Sequence, residues 1–292
     1  MLPDPTYAGY RAASVLARLL PGAAIGPVCD GLARAASVAM GERRQMVERH
    51  QRRVDPAADD AEISRRVHGA FSSYARYWIE SFRLPGTSHA DIEAHWELRG
   101  YEHIEAGVAA GRGVILALPH LGGWEWAAFW LTAVRGHRVT AVAEQVEPAE
   151  LAEWFVGLRR QFGLHIVLLG PDAGSRVARA LKANHIVCLL CDRDLAGGGV
   201  EVDFFGEATT LPAGPATLAV RSGAPLLAAA TYFDGDRHLG LVGPPIDTAR
   251  RAKLRDDVAR ITQDLADQLE ALIARAPEQW HLMQPNWPSD RT

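Results

Sequence analysis

Val114-Ile115-Leu116-Ala117-Leu118-Pro119-His120-Leu121-Gly122-Gly123-Trp124-Glu125 is the stretch on which the fold turns. Its first five residues are an apolar run too short for a buried helix, bounded by Gly111-Arg112-Gly113 and by Pro119, which marks an interior strand. His120 then stands at the C-terminal tip of that strand. Within one helix, five positions at about 100° each would set His120 and Glu125 on different faces. They meet if His120 precedes the helix, Gly122-Gly123 makes the tight turn and Glu125 rides the first helical turn, its carboxylate reaching back to one imidazole nitrogen. The other nitrogen is then free to take a proton, as a general base must. The plainer alternative is a loop histidine followed by a glutamate that favours the positive end of a helix. Spacing alone does not choose between them.

Outward from this stretch, short apolar runs alternate with helical segments beyond Leu84-Pro85-Gly86. Strands are expected at 113–118, 137–144, 165–170, 185–191, 224–233 and 238–243, and helices near 122–134, 148–161, 174–183 and 213–222. Such crossover units build an α/β fold with a mostly parallel central sheet flanked by helices. The last two strands, turned at Asp234-Gly235-Asp236, form an antiparallel hairpin. A long helix, 248–276, closes the core ahead of a tail holding Trp280, His281, Gln284 and Trp287. Residues 1–85 are expected as an N-terminal helical region of the same domain, and 86–292 as the α/β core.

In that N-terminal region a helix over 7–20 ends at Pro21, with Arg11, Ser14 and Arg18 on a narrow stripe and Tyr7, Tyr10, Val15, Leu16, Leu19 and Leu20 over much of the rest. A wide apolar face with basic edges suits either a first core helix or one lying in a membrane interface. Residues 1–54 hold eight arginines against four acids, a basic end on an acidic body that suggests an anionic surface as partner. A second amphipathic helix, 59–82, spaces Phe71, Tyr74, Trp78 and Phe82 as a core face.

The whole chain, 292 residues and 48% apolar, suffices for one large domain, and its net charge of −4 with both signs spread throughout supports no nucleic-acid footprint. Three cysteines, Cys29, Cys188 and Cys191, indicate no disulfide framework and fit a reducing, cytosolic setting. No run reaches the 18 or so apolar residues of a membrane span, and no signal peptide pattern is present. The expectation is a protein that lies on the bilayer without crossing it.

In open parallel sheets ligands bind beyond the carboxyl ends of the strands. His120 follows the first expected strand, Glu144 ends the second, and Asp192-Arg193-Asp194 ends the fourth. Three ionisable clusters thus fall on one edge of the sheet, where a site can use them; as unpaired charges in a strand interior each would cost several kcal/mol. Arg159, on the helix after Glu144, can pair with these acids or face a phosphate. A salt-bridged structural role is the alternative for each. A competing chemistry reads Cys188 to Asp194 as the strand-then-Asp-x-Asp opening of magnesium-dependent haloacid-dehalogenase-type phosphatases, centred on Asp192 and Asp194, although that pattern wants Thr or Val where Ala196 stands. A non-catalytic lipid-binding module is a third reading. No Gly-x-Ser-x-Gly elbow, Gly-x-x-x-x-Gly-Lys loop or His-Glu-x-x-His helix occurs.

The His-x-x-x-x-Glu spacing after a strand resembles the signature of the glycerolipid acyltransferase superfamily. Further segments narrow the resemblance: Ser73 to Trp78, Phe82 to Pro85, Leu116 to His120, Asp192 to Leu195, Val202 to Ala208, Pro212 to Ala216 and Trp280 to Pro285. Together they resemble the phosphatidylinositol mannoside acyltransferases of actinobacteria, relatives of the lipid A late acyltransferases. The resemblance implies transfer of a long acyl chain, typically palmitoyl, from acyl-CoA as co-substrate to the 6-hydroxyl of a mannose on a phosphatidylinositol mannoside, at the cytoplasmic face of the membrane, with no metal. Another glycolipid or a lysophospholipid is the alternative acceptor.

Carried over residue by residue, the resemblance makes His120 the base, Glu125 the acid that orients it, Glu144 and Asp192 the acids after the second and fourth strands, and Arg159 the helix arginine. Glu125 stands where close relatives carry Asp, and Asp192 where they carry Glu. Substrate contacts are expected from Glu144, Arg159, Arg193 and Asp194. Amides around Gly122 and Gly123 are expected to bear the oxyanion. Phe204 and Phe205, with Phe129 and Trp130, are candidates for an acyl groove or for plain core.

Overall fold

The computed structural model describes residues 4–195 and 197–291; Ala196, the position on which the phosphatase pattern faltered, lies outside them. The expected interior strand is β2 of the sheet, Val114–Leu118, buried at all five positions. Before it comes a short strand, β1 (Trp96–Arg99). After it come β3 (Val139–Ala143), β4 (His165–Leu168), β5 (Ile186–Leu190), β6 (Val200–Phe204), β7 (Glu207–Leu211), β8 (Leu226–Asp234) and β9 (Arg237–Val242). Seven strands form one sheet in the order β1-β9-β8-β2-β5-β3-β4, parallel except for the β8–β9 hairpin, and β6 pairs with β7 as a separate antiparallel ribbon. The mostly parallel α/β architecture is as the sequence led one to expect.

Alternate side chains of β2 feed two cores. Ile115 and Ala117 face α9 (Ala173–Lys182), α10 (Gly214–Ser222) and α11 (Leu254–Ala274). Val114, Leu116 and Leu118 face the other layer, built from α4 (Asp60–Arg83), α5 (His89–Ala94), α6 (Tyr101–Ala109), α7 (Trp124–Phe129) and α8 (Ala149–Gln161). A strand covered on both faces needs apolar residues throughout, each larger one contributing about 1.5–3 kcal/mol, which is why the run reads as continuous and not alternating. α1 (Pro5–Leu19), α2 (Ile25–Ala39) and α3 (Gly41–Val54) pack on α4. The Asp59 carboxylate caps α4 by accepting from the Glu62 amide at 2.7 Å.

Several elements differ from expectation. The helix near 122–134 is α7 only as far as Phe129, followed by a π turn over Trp130–Val134. The closing helix starts at Leu254, not 248. β1, α5, α6 and the β6–β7 ribbon were not foreseen. In α1 the polar stripe is split: Ser14 is buried beside Ala17 while Arg11 and Arg18 stay exposed, and the apolar Val15, Leu16 and Leu19 are 56, 67 and 74% exposed. Among the described residues no single helix is long and apolar enough to cross a membrane, although Pro5–Leu19 and Gly22–Ala39, bent by 120°, together have the length and composition.

Candidate active site

Parallel pairing of β2 with β5 sets Leu118 beside Leu190. The chain then runs two residues past each strand end, to His120 and Asp192, and the two side chains meet: His120 Nδ1 lies 2.6 Å from Asp192 Oδ1. Asp192 Oδ2 accepts from the His120 backbone N–H at 3.0 Å and from the Trp280 indole N–H at 2.7 Å, and the Asn286 side-chain amide donates to the Asp192 carbonyl at 3.1 Å. Burial of the fully enclosed Asp192 opposes its charge, but the neighbouring His120 and the hydrogen bonds from His120 and Trp280 overcome this and hold the carboxyl down at about 2. An anionic acceptor at Nδ1 assigns the proton to that nitrogen, which leaves the Nε2 lone pair available. Nε2 has no partner among the described residues, and the His120 side chain keeps 17% of its surface exposed.

Glu125 is therefore not the group on the imidazole. Its expected position on the first turn of α7 is correct, but that turn points it toward α4 and α8. There Oε1 accepts from Tyr77 Oη at 2.9 Å and from Arg159 Nε and Nη2 at 3.0 and 2.6 Å. Burial disfavours the Arg159 charge, and Glu125 more than restores it, so that the guanidinium is held above its ordinary range. Burial and then Glu125 push the Tyr77 hydroxyl well up. Oε2 of Glu125 is buried and has no hydrogen-bond partner among the described residues.

Gly122 makes the turn at φ +59°, where a Cβ would sit 2.0 Å from the Thr231 carbonyl oxygen. Its amide donates to the Gln279 carbonyl at 3.1 Å, so it is not free to bear an oxyanion. A Cβ at Gly123 would meet Phe233 at 2.9 Å. At the rim, Arg193 pairs with Glu144, joining the ends of β5 and β3. Asp194 instead closes the loop after β5, accepting from the Gly199 amide at 2.7 Å and from Thr210 Oγ1 at 3.3 Å.

Phe204 is fully buried, stacked on Trp287 with centroids 5.7 Å apart, so it is core and lines no groove. Phe205 is half-buried at φ +53°, 5.9 Å from the Trp280 ring. Trp130 is buried and bonds Glu93, while Phe129 lines a cavity of ≈ 510 Å³ with Thr132, His137 and Phe162. His137 precedes β3 and Phe162 precedes β4, so that cavity opens at the end of the sheet away from His120.

Sequence reasoning missed Tyr77, Asn286 and the part played by Trp280. In the sequence the tail reads only as a motif, with no spacing to tie it to residue 192. His281, next to Trp280, is buried with Nε2 2.8 Å from Ser73 Oγ; burial and then the His120 charge depress it to about 3, so it stays neutral and does not compete for the proton.

The profile of the family described as bacterial lipid A biosynthesis acyltransferase matches residues 5–289, nearly the whole chain. The chain belongs to this family. It is accordingly an acyltransferase, of the EC 2.3.1 class. The phosphatidylinositol mannoside acyltransferase of Mycolicibacterium smegmatis is 39% identical over 292 residues, covering 98% of this chain and 92% of that one. The phosphatidylinositol mannoside acyltransferase of Mycobacterium tuberculosis is 41% identical over 228 residues, covering 76% and 70%. In this lipid A-type acyltransferase the phosphatase reading falls on geometry as well. Asp192 is sealed from solvent with both oxygens engaged by His120 and Trp280, and so cannot act as an attacking carboxylate.

Proposed function

We propose that the enzyme moves a long acyl chain, palmitoyl, from acyl-CoA to the 6-hydroxyl of a mannose on a phosphatidylinositol mannoside, with His120 as general base and no acyl-enzyme. The observation that carries this is the His120–Asp192 pair at 2.6 Å, which fixes one nitrogen of the ring and leaves the other open at the sheet edge. His120 Nε2 takes the hydroxyl proton as the sugar oxygen attacks the thioester carbonyl. The C–S bond then breaks, and the imidazolium returns that proton to the departing thiolate. Asp192 holds the ring and stabilises the imidazolium. A thioester is already activated, so no covalent intermediate is needed.

Glu125, Arg159 and Tyr77, which pair with one another and not with His120, take a structural part in this reading and no part in the proton transfer. In this reading Glu144, 45% exposed in its pair with Arg193, binds sugar hydroxyls, and Arg193 binds phosphate. The exposed Val15, Leu16 and Leu19 of α1 and Leu32 and Val38 of α2 seat the enzyme peripherally on the cytoplasmic face of the membrane, where the glycolipid lies.

The test is incubation of the protein with labelled palmitoyl-CoA and a polar lipid extract, followed by mass spectrometry of the labelled lipid. A phosphatidylinositol mannoside carrying one added palmitoyl ester on a mannose is expected, and none with the His120→Ala variant. Label confined to a lysophospholipid product or to another glycolipid would overturn the acceptor.

A further inference from the structure

The C-terminal segment that follows α11 does more than end the chain. Three consecutive residues, Gln279, Trp280 and His281, lie alongside the loop that carries the base. The Gln279 carbonyl accepts from the Gly122 amide, Trp280 forms an antiparallel bridge with Leu121, and the His281 amide donates to the His120 carbonyl at 2.7 Å. The Gln279 side chain is itself clamped to both backbone groups of Phe233, at 2.7 and 3.0 Å. The loop is thus fastened on both sides of Leu121 to a strap anchored on β8.

From the middle of this strap the Trp280 indole, 1% exposed and packed against His50, Phe205 and Trp287, reaches Asp192 Oδ2. The two carboxylate oxygens divide their partners. Oδ2 takes two fixed N–H donors, Trp280 Nε1 and the His120 amide, and Oδ1 is left for the imidazole alone. An indole N–H only donates and does not titrate, so it holds a carboxylate in one orientation and favours its charged form, the stronger acceptor. A buried hydroxyl or amide would offer an acceptor as well.

We propose that Trp280 is a positioning residue of the acyl transfer, holding Asp192 ionised and aligned under His120, and that the 279–281 strap is thereby part of the catalytic apparatus. The proposal rests on the reading of His120 as the base. In kinetic terms, Trp280 acts on the step in which the imidazole gains its proton and not on substrate binding. Without the indole donor the Asp192 charge faces the ring less compensated, the ring holds its proton more tightly, and the acidic limb of the rate profile moves to higher pH.

The experiment is steady-state kinetics of the full chain with palmitoyl-CoA and a phosphatidylinositol mannoside acceptor, for wild type, Trp280→Phe, Asp192→Asn, the double variant and His120→Ala. Trp280→Phe is expected to lower kcat about ten- to a hundredfold, the scale of a hydrogen bond to a charged group, with both KM values kept within about twofold. Its acidic limb should shift upward, and in the Asp192→Asn background it should cost no more than about twofold, because the carboxylate it serves is gone. A wild-type kcat and pH profile, or an equal loss in the Asp192→Asn background, overturns the proposal. If Trp280→Phe does not fold, 3-benzothienylalanine at position 280, which keeps the ring shape and removes only the N–H, decides by the same readouts. An active His120→Ala variant would instead overturn the base reading. An inactive His120→Ala beside an unaffected Trp280→Phe overturns Trp280 alone.

Discussion

At the scale of single residues, two carboxylates near one histidine have different work, and the difference is one of partners. Asp192 spends its two oxygens on His120 and Trp280, while Glu125 faces a guanidinium and a phenol. Replacing His120 by Ala should leave acyl-CoA binding, followed by calorimetry, near wild type and cut turnover by about 10²–10⁴-fold; near-normal turnover would remove the base assignment. Glu125→Ala should act first on stability, because it strands the Arg159 charge in a site where burial already opposes it. Breaking a buried pair from one side costs about 3–5 kcal/mol, whereas Glu125→Ala with Arg159→Met, which removes both charges, should be less destabilised than Glu125→Ala alone. Denaturant unfolding measures both, and a Glu125→Ala variant as stable as wild type would contradict the account.

At the scale of elements, the site follows from register. His120 and Asp192 are 72 residues apart, and they meet because β2 and β5 are parallel neighbours paired at Leu118 and Leu190. The sequence put His120, Glu144 and Asp192 at strand ends on one edge, but strand order is not written in local periodicity, so it offered the nearer Glu125 as partner. The β6–β7 ribbon stayed hidden for another reason: its two-residue turn is Phe205-Gly206, with Phe205 at φ +53°, where a hairpin signal would carry Asn or Gly. β1, only four residues long, is too short for its alternation to stand out. The tightness of the loop after β2 makes its own prediction. Gly122→Ala places a methyl against the Thr231 carbonyl at a φ that alanine resists, so both melting temperature and kcat should fall, and a variant unchanged in both would mean that the turn can relax freely. On α1 the outward apolar face predicts that Leu16→Glu with Leu19→Glu abolishes flotation with phosphatidylinositol-containing vesicles and leaves the melting temperature unchanged. Undiminished flotation would move the membrane contact elsewhere.

At the scale of the whole molecule, ionisation couples the site to stability. His137, His185 and His281 are all held below the ordinary histidine value, in each case first by burial and then by a nearby positive group, Arg135, Arg138 and His120 respectively. The unfolded chain takes up protons at these positions near the unperturbed value of 6.5, and the folded chain does so only at lower pH. Their contribution is therefore intact above 6.5 and declines as the pH falls below it, continuing for His281 down to about 3. Asp192 behaves as a depressed carboxylate: its contribution is complete above the unperturbed 3.8 and is lost only as the pH drops through that value toward about 2. Thermal melts between pH 7.5 and pH 3 should thus fall in two stages, a histidine stage beginning near 6.5 and a steeper carboxylate stage below about 4. Asp192→Asn should remove part of the second stage and keep the first. A melting temperature that stays flat from pH 7 to pH 5 would contradict the histidine stage, and with it the burial that holds His281 neutral beside His120.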